Sequence, residues 1–111
     1  MKTLIKILML SVFFSYTHQK TWGAESLNDL NFYTAIDLWF SNESEANATY
    51  GHISDWNVSA VTTMENAFYN REGFNEDISS WDMSSVTNMW SMFKYARSFN
   101  QPIGNWDVSK V

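Results

Sequence analysis

Three short strings place a carboxylate or an amide two residues ahead of a hydroxyl: Asn57-Val58-Ser59, Asp82-Met83-Ser84 and Asp107-Val108-Ser109, each 25 residues after the last. Asp55, Ser80 and Asn105 precede them at the same spacing. Three chemistries are open to such columns. Asp, Asn and Ser satisfy backbone N–H groups at turns. A row of outward-facing oxygens could bind calcium, which favours oxygen ligands, but too few carboxylates converge here. The same row, Asp55, Asn57, Ser80, Asp82, Asn105 and Asp107, is also a candidate contact strip for a protein partner. Residue type favours turn capping first and partner contact second.

Enzymatic chemistry is harder to place. It would need paired carboxylates, an activated nucleophile or a metal constellation. The chain has 2 His, set far apart, and no Cys. No catalytic, cofactor-binding or metal-ligating residue is singled out. His52 beside the first string reads as a surface or capping residue. The N-glycosylation pattern occurs at Asn42, Asn47 and Asn57; the first two fall in an expected polar loop, where a glycan would fit.

Charge and the N-terminus narrow the setting. MKTLIKILMLSVFFSY has Lys2 and Lys6 followed by an apolar run from Ile7 to Phe14, the layout of a secretory leader. The run is too short to span a bilayer, which takes about 20 apolar residues. Residues 1–24 are therefore expected to be a signal peptide cut after Ala24. The rest keeps 4 basic and 12 acidic residues, a net charge of −8. Such a chain is repelled by nucleic acid and by anionic membrane surfaces. A secreted domain this small often needs disulfides; without Cys, packing must supply the stability.

The elements that would position the strip follow from an internal repeat. Trp56, Trp81 and Trp106 recur every 25 residues, as do Ile53, Ile78 and Ile103, and Val61, Val86 and Val111. Met64 pairs with Met89, Phe68 with Phe93, Phe74 with Phe99 and Asn75 with Asn100. The unit length falls within the leucine-rich range. Ile78-x-x-Trp81-x-Met83-x-x-Val86 matches the core spacing of such repeats. Alternation in Trp81-Asp82-Met83 predicts a short strand over Ser80–Met83. Met89, Met92, Phe93 and Ala96 recur at threes and fours, predicting a helix over Thr87–Arg97.

The expected fold is thus an α/β repeat solenoid, leucine-rich-repeat-like, with short parallel strands on one side and short helices on the other. Residues 25–49 would supply an N-terminal capping helix and a polar loop. In the helix, Ser26 is the expected N-cap, Asp29 its partner, and Leu27, Leu30, Tyr33, Ile36 and Phe40 the inward face. Residues 50–111 hold about two and a half units, the last stopping mid-coil, as in a fragment of a longer array. Its open end suggests self-association. Trp56, Trp81 and Trp106 read as core, and Asn75 and Asn100 as backbone ligands at coil turns.

YGHISDWNVSAVTTMENAF and FNEDISSWDMSSVTNMWSMF resemble the BspA-like leucine-rich repeat surface proteins, also called DUF285 repeats. The family string is close to F-N-x-x-I-x-x-W-D-V-S-x-V-T-x-M-x-x-M-F. The resemblance covers Tyr50 to Val111. The first copy departs from it at Asn57 and Ala67. It implies a secreted or cell-surface repeat protein that mediates adhesion or protein binding without catalysis, its partner an unknown protein or matrix ligand. The alternative is a passive spacer array presenting a downstream domain. No family site residue exists to carry over.

Overall fold

The computed structural model describes residues 24–111; the leader expected over 1–24 lies, Ala24 apart, outside them. The α-helices among the described residues are α1 (Phe32–Ser41) and α2 (Glu43–Tyr50), followed by a single 3-10 turn at Ile53–Asp55. The α/β solenoid expected from the apolar spacing is not what forms. The described residues contain no β-strand. Parallel pairing is confined to the isolated bridges Asn28–Ala60 and Thr63–Asn88. Neither a strand at Ser80–Met83 nor a helix over Thr87–Arg97 is present; both stretches are turns and irregular chain.

The reasons lie in where the backbone hydrogen bonds go. On the tryptophan side, Trp81 N–H bonds back to the Ile78 carbonyl at 3.1 Å and Val86 N–H to Met83 at 3.0 Å; Trp56 and Val61 do the same with Ile53 and Val58 at 3.3 and 2.9 Å. These three-residue turn bonds consume donors that a ladder would need. On the opposite side, the N–H groups of Met64, Asn66, Phe68 and Asn70 reach across to the carbonyls of Asn88, Trp90, Met92 and Lys94 at 2.8–2.9 Å. Ala67, Tyr69 and Arg71 donate instead to the residue three earlier. A helix would need each of those donors for the residue four earlier.

Backbone conformation agrees. Asn66, Asn70, Ser91 and Tyr95 have φ of 60°, 63°, 54° and 64°, left-handed values that no α-helix accepts. They fall every fourth residue. A run of such four-residue turns brings Met64, Ala67 and Phe68 inward at the steps of a helix face, and all three are buried. The periodicity was real, and its source is a succession of turns.

The N-terminal part also departs from expectation. α1 starts at Phe32, not after Ser26, and its preceding residue Asn31 makes no side-chain cap bond. Phe32, Ala35, Ile36 and Trp39 form its buried face. Leu30, expected inward, is 94% exposed. Asp29 does not cap the helix. Its carboxylate accepts from Thr62 N–H at 2.8 Å and Thr62 Oγ1 at 2.6 Å, tying the approach to α1 to the first unit. The stretch expected as a polar loop is α2. Asn42 starts it by accepting from Glu45 N–H at 3.2 Å, and Glu43 and Glu45 sit in the first turn, where the positive end of the helix dipole favours them. Gly51, at φ 83°, ends it.

The core is an aromatic and aliphatic stack. Trp56 and Trp81 lie 6.2 Å apart and nearly parallel. Phe68 and Phe93 stack at 5.6 Å, and Phe74 and Phe99 at 5.7 Å. α1 closes the near side: Phe32 meets Trp81 edge-on at 6.1 Å, and Trp39 meets Trp56 at 6.1 Å. Ile53, Val58, Val61, Met64, Ile78 and Val86 are fully enclosed.

Candidate functional site

The turns on the tryptophan side carry the polar column. Oδ1 of Asn57 accepts from Ser59 N–H at 3.1 Å and Ser59 Oγ at 2.7 Å. Oδ1 of Asp82 does the same with Ser84, at 3.0 and 2.6 Å. Asp107 accepts from Ser109 N–H at 3.0 Å. Each is an Asx turn, the side chain holding the backbone two residues on. Of the flanking residues, Ser80 Oγ donates to the Ser54 carbonyl at 3.0 Å, while Asp55 and Asn105 are exposed. All six strip residues are exposed. Three of them also hold turns, so one oxygen of each is committed to the chain itself.

Asp77 is a further member of this set. Its Oδ1 accepts from Ser79 N–H at 3.0 Å and Ser79 Oγ at 2.6 Å. The available signal was its own Asp-x-Ser string. At the matching place one unit earlier His52 takes the same part, its Nδ1 accepting from Ser54 N–H at 3.2 Å; its Nε2 lies 3.6 Å from Glu76. Hydrogen bonds from Ser79, Ser84 and Ser109 hold the carboxyl groups of Asp77, Asp82 and Asp107 below the usual range. Repulsion from Asp107 acts on Asp82 weakly in the opposite sense.

The indoles are structural ligands of the backbone. Nε1 of Trp56, Trp81 and Trp106 donates to the carbonyls of Gly51, Ile53 and Ile78, at 2.8, 2.8 and 3.2 Å. Asn75 Oδ1 accepts from Asn100 N–H at 2.7 Å, linking one unit to the next. The N-glycosylation positions are exposed: Asn42 caps α2, Asn47 lies within it, and Asn57 holds its turn.

Two other surface features stand out. Where the end of α1 meets residues 71–76, an open cleft of about 440 Å³ is lined by Trp39, Phe40, Arg71, Glu72 and Glu76 among others. Its one cation is engaged: Arg71 lies 4.1 Å over the Phe40 ring and 3.3 Å from Asp37. On the turn side, Tyr69, Trp90 and Tyr95 are exposed, although helical spacing would have given them no special place. Among the described residues no group of three or more His, Asp or Glu side chains converges as a metal cage, and no helix is long and apolar enough to cross a membrane.

Comparison with known proteins adds one finding. No curated protein and no solved structure matches the chain. A family model described as a Mycoplasma protein of unknown function, DUF285, matches residues 34–111. That span takes in all of α1 beyond its first two residues, the whole of α2 and every turn of the polar column, and the chain therefore belongs to the DUF285 family.

Proposed function

We propose that the chain is a secreted or cell-surface binding protein that works by surface complementarity, without chemistry of its own. The observation that supports this reading is a contrast between frame and face. Buried positions stay apolar from one unit to the next, and several keep their residue type: Ile53 and Ile78, Trp56 and Trp81, Val61 and Val86, while Val58 becomes Met83 and Ala67 becomes Met92. On the turn side, outward positions at the same spacing change in chemical character: Glu65 becomes Trp90, Tyr69 becomes Lys94 and Asn70 becomes Tyr95. A constant frame carrying a varied exterior is how stacked scaffolds present contact surfaces. The leader-like N-terminus fits a chain that leaves the cell.

The test has two parts. The full chain is expressed in a secreting host and located by surface labelling. It is then titrated against purified extracellular matrix proteins. Export with saturable binding at a Kd below about 10 μM supports the reading. Retention in the cytoplasm, or export with no saturable binding, would leave the spacer role as the better account.

A further inference from the structure

The turn segments 65–72 and 90–97 share one backbone geometry, with left-handed residues at matching places and three rungs of hydrogen bonds between them. Their outward side chains do not match. Glu65, Tyr69, Asn70 and Glu72 in the first segment stand where Trp90, Lys94, Tyr95 and Arg97 stand in the second. Glu65 and Asn70 give way to aromatic rings, and Tyr69 and Glu72 give way to cations. From the face of 4 cations among 12 acids outside the leader, two have been placed within one turn of each other.

Folding does not explain the change. Trp90 is 66% exposed, the most exposed aromatic side chain among the described residues. Tyr95 is 48% exposed and sits at φ 64°, a conformation that suits the Asn70 of the first segment and disfavours a bulky residue. Strained backbone of this kind gathers at binding surfaces. Tyr69, Tyr95, Lys94 and Arg97 form one cluster, with Trp90 four residues along the chain from its Lys94 edge. Tyr69 and Tyr95 meet at 5.8 Å. Lys94 Nζ lies 5.4 Å from the Tyr95 ring centre and Arg97 Cζ 5.6 Å from it. Arg97 is also 3.5 Å from Glu72, with both side chains largely exposed. Lys94 has no carboxylate within ion-pair distance among the described residues.

We propose that this face, Trp90, Lys94, Tyr95 and Arg97 with Tyr69, docks an acidic segment of a protein partner. Exposed Trp, Tyr and Arg are the side chains that dominate protein–protein contact energy, and the local positive charge on an acidic chain selects an acidic complement. The inference rests on the binding reading above and names the surface that serves it.

The experiment uses the full chain and a fluorescein-labelled 12-residue peptide of alternating Glu and Leu, read by anisotropy. A Gln-for-Glu peptide and heparin are run beside it. The expected result is saturable binding of the acidic peptide, weakened about tenfold or more by K94E/R97E and by W90A, with melting temperature unchanged. The Gln peptide should bind at least about tenfold more weakly. Equal binding of both peptides, tighter binding of heparin, or indifference to both variants would overturn the proposal. If matrix-protein binding survives W90A and K94E/R97E but is lost on substitution of Asn57 and Asp82, the binding reading stands and this face is not its site. If no matrix protein and no peptide binds, both fall.

Discussion

The indole of Trp81 stacks on that of Trp56 at 6.2 Å, tilted by 10°, and at the same time donates its N–H to the Ile53 carbonyl at 2.8 Å. One side chain therefore closes a core layer and replaces a backbone ladder bond between units. Trp81→Ala should cost about 3–5 kcal/mol in denaturant unfolding, the range for a large buried aromatic. Trp81→Phe should cost less, about 1 kcal/mol, because the Ile53 carbonyl loses its indole donor and keeps only the longer 3.3 Å bond from Trp56 N–H. An unchanged midpoint in either variant would remove Trp81 from the core.

The turn-capping carboxylates make acid stability measurable. Asp77, Asp82 and Asp107 have folded-state pKa values below the ordinary 3.8. A depressed folded pKa means that the stabilisation is present above the ordinary value and is lost as pH falls through the lower one. Melting temperature should therefore drop more steeply below about pH 4 in the native chain than in the D77N/D82N/D107N variant. Parallel curves would mean that the carboxylate charge plays no part in the turns.

Left-handed backbone should govern tolerance on the opposite side. Asn66, at φ 60°, is exposed, so its side chain can be changed without disturbing the core. Asn66→Gly should be near neutral, whereas Asn66→Val should lose about 1–2 kcal/mol, the cost of forcing a β-branched residue into that region. If Val were as well tolerated as Gly, a helix-like conformation there would be the better description.

Asp29 joins the approach to α1 to Thr62 by two hydrogen bonds. Asp29→Ala should lower stability by about 1 kcal/mol. It should also speed amide exchange at Thr62, whose N–H is a donor in that pair. Exchange at Ile36 and Trp39, in the packed interior of α1, should change less. A uniform loss of protection would mean that α1 and the first unit open together.

Export is a separate matter, checked by intact mass. From a secreting host the chain should appear in the medium without residues 1–24. Recovery only from cells, with Met1 retained, would remove the secretory reading.

Several buried positions were legible from residue type and spacing. Ile53, Trp56, Val61, Ile78, Trp81 and Val86 recur at one offset and all are enclosed, because a unit that cannot cover its own apolar face buries it against a neighbour. Local conformation was not legible. Met64, Ala67 and Phe68 lie three and four residues apart in a helix, and equally in a run of turns with a left-handed residue every fourth position. Only the tertiary contact decides between them. The N–H groups of Met64, Asn66, Phe68 and Asn70 find carbonyls on the neighbouring unit, and a donor spent across units cannot close a helical turn. The same holds for Asp29, which could have capped a helix and instead meets Thr62. Sequence alone determined which side chains of the first two units go inside, though not Leu30 or Val111, which stay exposed; packing of one unit on the next determined the backbone that carries them, since each N–H has one bond to give.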